Sequence, residues 1–141
     1  RGQLFKIPAQ GGSPLQLTRD GGGPARESPD GRRIYYGKGG GLWKMPGAGG
    51  EETQVLQGLS WPTNFAVTTG GIYYIPGDPA RFGDQPLRIE FHDFVTSSAR
   101  LVLQTGGLWH LGLSISPDNR WIAFSQFDQV GGDILLVENF R

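Results

Sequence analysis

The chain has 141 residues and a formal net charge of zero, so it lacks the basic surface that binds nucleic-acid phosphates. Four Trp, four Tyr and eight Phe, among 37% hydrophobic residues, supply enough apolar surface for one folded domain and exclude a disordered chain. There is no cysteine, which excludes disulfides and thiol catalysis, and no apolar run approaches the roughly 20 residues of a membrane span. We therefore expect neither a nucleic acid nor a membrane as a partner.

Short apolar runs separated by Gly, Pro, Asp and Asn predict strands along the whole chain, and no stretch has a helical period of useful length. The predicted strands begin with a pair over residues 3–8 and 15–18. A first unit follows at 24–28, 32–37, 42–46 and 53–56, a second at 64–68, 71–75, 87–91 and 100–104, and a third at 111–116, 121–126 and 133–138. We name the four positions within a unit a, b, c and d. The prediction is an all-β fold of antiparallel strands.

Two phrases recur at a spacing of 38 residues. Leu42-Trp-Lys-Met-Pro46 repeats Leu4-Phe-Lys-Ile-Pro8, and Ile72-Tyr-Tyr74 repeats Ile34-Tyr-Tyr36. A repeat of about 40 to 50 residues with four short strands is typical of a β-propeller blade. We therefore predict about three blades per chain. They comprise a leading c and d pair in residues 1–18, blades in 19–57 and 58–105, and a blade without its own d strand in 106–141.

A similar four-residue sequence motif joins strands a and b in the first and third units. It reads Ser28-Pro-Asp-Gly31 and Ser116-Pro-Asp-Asn119. Asp side chains accept hydrogen bonds from their own turn, and Gly and Asn tolerate positive φ, so the phrase predicts a tight hairpin. A metal-binding or catalytic carboxylate is the alternative, but Thr68-Thr-Gly-Gly71 at the corresponding turn of the second unit has no Asp. We therefore interpret Asp30 and Asp118 as turn caps.

The phrases at 28–56, reading SPDGRRIYYG and then LWKMPGAGGEETQVL, resemble the TolB-like, WD-like propeller repeat. Residues 113–141 resemble the C-terminal end of bacterial, especially acidobacterial, proteins that join such a propeller to a winged-helix DNA-binding domain or a serine/threonine kinase domain. The resemblance covers essentially the whole chain, although the winged helix, the kinase and the earlier blades are not in this sequence. It implies a regulatory role for a longer parent protein in the bacterial cytoplasm or periplasm. Since the sequence starts at Arg1, we expect it to be cut from that parent.

Three blades are too few for a closed ring, because propellers typically have four to eight. Two copies of the chain would form a six-bladed ring with two-fold symmetry, so we predict a homodimer in which each chain is half of the ring. Residues 15–18 of one copy would supply the missing d strand of the other. The leading c strand and the c strand at 133–138 would then compete for one position.

The sequence contains none of the spacings that indicate catalysis. There is no His-x-x-x-His and no Gly-x-Ser-x-Gly, and the two histidines, His92 and His110, fall in different units. Gly37-Lys-Gly-Gly-Gly41 leads into a strand rather than a helix, so it predicts a hairpin and not a phosphate loop. We expect no catalytic residue, no metal and no cofactor.

In propellers, ligands usually bind where the loops entering strand a and those joining strands b and c meet the mouth of the central channel. The candidate ligand-binding residues there are Trp61, Asn64, Trp109, His110 and Arg26. Aromatic and Arg side chains are favoured anchors in binding surfaces. The alternative is that both tryptophans pack between blades.

The predicted function is a non-enzymatic interaction or sensor module that binds a peptide, a protein or a small ligand. The alternatives are the noncatalytic propeller portion of a peptidase-type enzyme and an engineered fragment without a native function.

Overall fold

The computed structural model describes residues 2–81 and 84–127 as antiparallel β-sheets connected by turns. In these residues the single helical element is a 3-10 turn at Pro79–Arg81. The predicted all-β class and the antiparallel pairing are therefore confirmed. The described part of the chain contains no helix with the length and hydropathy needed to cross a membrane.

The first half of the chain forms a hairpin and a four-stranded sheet. The hairpin consists of β1 (Phe5–Lys6) and β2 (Leu15–Gln16). The sheet follows in chain order as β3 (Ala25–Glu27), β4 (Arg33–Lys38), β5 (Gly41–Pro46) and β6 (Thr53–Gln57). These strands correspond to positions a to d of the first predicted unit.

The second half of the described chain forms one five-stranded sheet that curls into a half-barrel. Its strands are β7 (Phe65–Val67), β8 (Gly71–Tyr74), β9 (Pro86–Asp93), β10 (Ala99–Ile115) and β11 (Ile122–Phe127). Each pairs with the next in the chain, so the sheet is a meander with β7 and β11 at its edges.

The internal repeat, at spacings of 38 and 50 residues, corresponds to repeated strand pairing. In each a–b hairpin, the isoleucine of strand b pairs with the last residue of strand a. These pairs are Ile34 with Glu27, Ile72 with Val67, and Ile122 with Ile115. The β1–β2 hairpin repeats the β5–β6 pairing, since Phe5 faces Gln16 as Trp43 faces Gln54.

The Ser-Pro-Asp turns have the predicted geometry. The Ser28 hydroxyl donates to the Asp30 carboxylate at 2.6 Å, and the Arg32 backbone N–H donates to the same oxygen at 3.0 Å. Ser116 and Asp118 repeat the first contact at 2.5 Å. The turns close through residues with positive φ, 69° at Gly31 and 58° at Asn119. The interpretation of both aspartates as turn caps is confirmed.

The core of the described chain consists of three apolar clusters. The first lies between the β1–β2 hairpin and the first sheet and is centred on Tyr36 and Met45. The second joins the two sheets, with Tyr35 and Leu42 packed with Phe65 and the strand β8. A third fills the inside of the curled sheet around Trp109. The first two clusters thus join the hairpin and the two sheets, and the third is the core of the curled sheet itself.

One expected loop is a strand in the structure. The sequence predicts separate strands over 100–104 and 111–116, but both belong to the 17-residue strand β10. Its register shifts three times, between Leu101 and Leu103, between Gln104 and Leu108, and between Trp109 and Leu113. These shifts let the chain leave β9 and join β11 without leaving the sheet. The predicted strand over 133–138 lies outside the described residues.

The double variant D30N/D118N, which replaces both turn aspartates, should lose less stability than the parent protein when the pH is lowered. Hydrogen bonds from Ser28 and Ser116, followed by backbone N–H groups, lower the pKa of each carboxyl in the fold. These carboxylates therefore stabilise the fold above about pH 4, and the contribution is lost as the pH falls through the lowered folded values.

Urea denaturation at neutral pH and at about pH 3 measures this effect on the free energy of unfolding. E51Q, which changes an exposed carboxylate outside the turns, is the control. An equal loss of stability in D30N/D118N and in the parent would contradict the prediction.

Candidate functional site

A cleft of about 220 Å³ opens at one end of the sheets. Three connections form it: the β4–β5 turn, the β6–β7 loop and the β8–β9 connection. The lining residues are Gly37, Lys38, Gly40, Gly41, Leu59, Trp61, Pro62 and Pro79. Because successive strands are antiparallel, this end is opposite the Ser-Pro-Asp turns. It is the end where the sequence places the binding surface.

The β4–β5 turn supports the floor of the cleft. Gly39 and Gly40 have φ values of 58° and 72°, which form a two-residue hairpin turn that favours glycine at both positions. The Gly40 carbonyl then accepts hydrogen bonds from the backbone N–H groups of Gly58 and Leu59, at 3.0 and 2.9 Å. The glycine-rich segment is therefore a hairpin, as predicted, and it also anchors the β6–β7 loop.

Pro62 lies directly against strand β4. A Cβ added at Gly37 would lie 2.7 Å from the Pro62 Cβ and 2.8 Å from its Cα, so this position accepts only glycine without movement of the loop. The Gly37 carbonyl also accepts a hydrogen bond from the Gly23 N–H at 2.8 Å. Close packing of the loop on β4 thus fixes the wall of the cleft next to Trp61.

Lys38 is the charged residue in the cleft lining, and its charge is compensated. Its Nζ lies 2.5 Å from the Glu52 carboxylate and 5.1 Å from the centroid of the Trp43 ring. The Lys38 and Glu52 side chains are only about a fifth exposed, at 19% and 21%. The cleft therefore has an apolar wall of Trp61, Pro62 and Pro79. Beside this wall lies the Lys38 ammonium group, whose charge is balanced by the Glu52 carboxylate.

Trp61 is the one predicted site residue among those that line the cleft. Its side chain is 38% exposed, as a contact surface requires. It sits between Ser60, whose N–H donates to the Ile75 carbonyl at 3.0 Å, and Pro62, which packs on β4. Both neighbours are fixed, so the indole is presented from a well-supported loop.

Asn64 is fully buried and ties the loop to β10. Its Nδ2 donates to the Ser60 Oγ at 3.0 Å and to the His110 carbonyl at 3.1 Å. Its Oδ1 accepts from the Gly112 N–H at 2.9 Å. The structure thus brings Asn64 to the His110 backbone, but Asn64 positions the loop rather than facing the cleft.

The other three predicted residues do not line the cleft. Trp109 was expected on a loop, but it is in β10 and is fully buried, because the curled sheet closes around it. The His110 ring packs edge-on against Phe127 at 4.4 Å. Arg26 is exposed on β3 and donates to the Ala25 carbonyl at 3.1 Å.

Sequence reasoning missed Lys38, Leu59, Pro62 and Pro79 as lining residues. The available signal was the Trp61-Pro62 pair, together with the glycine-rich turn that must lie at the same end of the sheets. Over residues 2–81 and 84–127, no group of three or more His, Asp or Glu side chains is placed to hold a metal ion.

Comparisons of this chain with protein-family models, curated proteins and solved structures give no match. The function is therefore inferred from the geometry and chemistry of the chain itself.

Asn64→Ala should lower the free energy of unfolding by about 1–3 kcal/mol or more, because it leaves the Gly112 N–H and the His110 carbonyl without their buried partner. Urea denaturation measures the change. The control is N119G, since Asn119 is an exposed turn residue with positive φ that glycine adopts readily. Equal stabilities of N64A and N119G would show that the Asn64 amide does not support the loop.

Gly37→Ala should destabilise the protein by about 1–3 kcal/mol, because the added methyl group overlaps Pro62. Gly70→Ala is the matched control, since a Cβ there meets nothing within 4 Å and needs no positive φ. Thermal and urea unfolding of the two variants test the close packing. Equal stabilities of G37A and G70A would show that Pro62 does not pack closely on Gly37.

Proposed function

We propose that this chain is a non-enzymatic interaction module made of TolB-like β-propeller blades, and that it binds a peptide through the Trp61 cleft. The repeated register of the three a–b hairpins is the observation that supports the blade assignment. The apolar clusters between the hairpin and the first sheet and between the two sheets support it as well, since blades pack face to face around a channel. The chain would act as the sensor part of a larger bacterial regulatory protein.

The size and chemistry of the cleft favour a peptide side chain as the ligand. At about 220 Å³ the cleft is smaller than the ~300–1,000 Å³ pockets that enclose whole small molecules. Its exposed wall is apolar, and the Lys38 charge is already paired with Glu52. A neutral apolar or aromatic side chain therefore fits the cleft better than an acidic one.

We further propose that two copies assemble into a closed six-bladed ring. Large apolar side chains are exposed near both ends of the described chain. Phe5 is 59% exposed and Ile7 50%, while Trp121 is 71% exposed. Such surfaces favour association, because burying apolar area is the main driving force for it.

Two measurements on the 141-residue chain test this function. Light scattering should give twice the 15.3 kDa mass of one chain, and a monomer would refute the ring. A phage-displayed library of linear peptides should then yield binders rich in apolar or aromatic residues.

The selected peptides should bind Trp61→Ala at least about tenfold more weakly, which corresponds to roughly 1.4 kcal/mol. Val95→Ala changes a residue that is 91% exposed and outside the cleft, so its affinity should equal that of the parent. Equal affinities of W61A and V95A would refute the Trp61 site.

A further inference from the structure

A second cleft, of about 150 Å³, lies at the end of the sheets that carries the Ser-Pro-Asp turns. Three segments form it: the turn at 28–33 of the first sheet, the turn at 68–71 of the second sheet, and Phe94, which follows β9. The Phe94 N–H donates to the Gly70 carbonyl at 3.0 Å, which holds the last two segments together. The cleft therefore lies between the two sheets, at the end opposite the Trp61 cleft.

The Tyr35 hydroxyl reaches this cleft without a partner in the fold. The Tyr35 side chain lines the cleft, is only 3% exposed and stacks on Phe94 with ring centroids 5.8 Å apart. Its hydroxyl makes no hydrogen bond to any residue that the structure describes. Buried polar groups in folded proteins are almost always hydrogen-bonded. A ligand in the cleft would supply the missing partner.

Arg33 and Asp30 add opposite charges to the same lining. The Arg33 guanidinium makes no ion pair or hydrogen bond within the described chain. Asp30 uses its Oδ1 to accept from the Ser28 hydroxyl and from the Arg32 N–H, at 2.6 and 3.0 Å, whereas no described residue donates to its Oδ2. The cleft thus offers a cation and a carboxylate oxygen that do not neutralise each other.

The charges of these two residues act on the Tyr35 hydroxyl. Burial raises the pKa of the Tyr35 phenol, and the charges of Arg33 and Asp30 change this pKa in opposite directions. All three groups therefore face one small volume. Their backbone is held in place, because the Ser28 N–H donates to the Arg33 carbonyl at 2.9 Å and the Ser28 Oγ accepts from the Arg33 N–H at 3.0 Å.

The third unit shows that the turn itself needs neither the guanidinium nor the phenol. The same turn forms there, and the Ser116 Oγ accepts from the Trp121 N–H at 3.0 Å. The hairpin registers place Trp121 at the position of Arg33. Ala123 likewise takes the position of Tyr35. The turn thus folds without these two groups, which leaves them available for binding.

We propose that this cleft binds a free α-amino acid, with its α-carboxylate at Arg33 and Tyr35 and its α-ammonium group at Asp30. A guanidinium and a phenol hydroxyl donate hydrogen bonds to a carboxylate, and a carboxylate oxygen accepts from an ammonium group. A free amino acid carries both charges at one carbon atom, whereas a peptide carries them at opposite ends.

The size of the cleft agrees with such a ligand. Its volume of about 150 Å³ corresponds to about five water molecules at ~30 Å³ each. This is enough for the charged end of an amino acid, and it is too small for a drug-sized molecule. The cleft and the Trp61 cleft lie at opposite ends of the sheets, so amino-acid binding and peptide binding are separate properties of the chain.

Titration of the 141-residue chain with L-alanine, followed by NMR, tests the site. N-acetyl-L-alanine lacks the ammonium charge and L-alaninamide lacks the carboxylate, so each loses one of the two charge contacts. L-alanine should bind at least about tenfold more tightly than either compound. Equal affinities of L-alanine and N-acetyl-L-alanine would overturn the free amino acid in favour of a peptide C-terminus. The absence of saturable L-alanine binding would overturn the site.

Tyr35→Phe is the sharpest variant, because it removes the hydroxyl and keeps the ring. It should weaken L-alanine binding about tenfold without lowering the free energy of unfolding, since the lost hydroxyl has no partner in the described fold. Tyr73→Phe makes the same change outside the cleft and should bind like the parent. Equal affinities of Y35F and Y73F, or a loss of stability in Y35F alone, would overturn a binding role for this hydroxyl.

Arg33→Gln tests the orientation of the ligand. It should weaken the binding of L-alanine and of N-acetyl-L-alanine at least about tenfold and leave that of L-alaninamide unchanged, because only the first two carry a carboxylate. Arg120→Gln is the matched control, since it removes the same charge from an exposed position in the corresponding turn of the third unit. Equal L-alanine affinities of R33Q and R120Q would overturn the carboxylate contact.

Discussion

The buried amide of Asn64 is the constraint on which the rest of the site depends. It links the β6–β7 loop to the middle of β10 through two hydrogen bonds and donates a third to Ser60 within the loop, while the Gly40 carbonyl holds the start of the same loop. Pro62, between these two anchors, packs on Gly37 with no room for a side chain. Both the apolar wall of the cleft and the junction between the two sheets follow from this single well-fixed loop.

Local chemistry made part of the fold predictable from the sequence. The Ser28–Asp30 turn needs only residues within five positions of each other, and the glycine turn at Gly39-Gly40 needs only positive φ. The strand positions and the all-β class follow from the same short-range signals. The repeated phrases then indicate equivalent pairing, which the hairpin registers bear out.

Features that depend on packing between distant parts of the chain could not be predicted from the sequence in this way. Two glycines shortly before Trp109 suggest a loop, but pairing of Trp109 with Gln126 in β11 and of Leu108 with Pro86 in β9 keeps this segment in a strand. Its burial depends on Ile75 and Leu87, which lie far away in the sequence. The cleft likewise combines three connections, and only their meeting in space shows that Pro79 and Trp61 share a surface.

The two b–c connections differ greatly in length, and this difference has a consequence for the shape of the cleft. Two glycines join β4 to β5, whereas residues 75–85 join β8 to β9 and contribute Pro79 to the cleft. The longer connection is tied at its base, where the Gly77 N–H donates to the Gly58 carbonyl at 2.9 Å. The other end is held by Gln85, whose side chain accepts from the Asp78 N–H and whose carbonyl accepts from the Trp109 N–H, so the loop is fixed at both ends. The shape of the Pro79 side of the cleft is therefore set by this one segment rather than by the sheets.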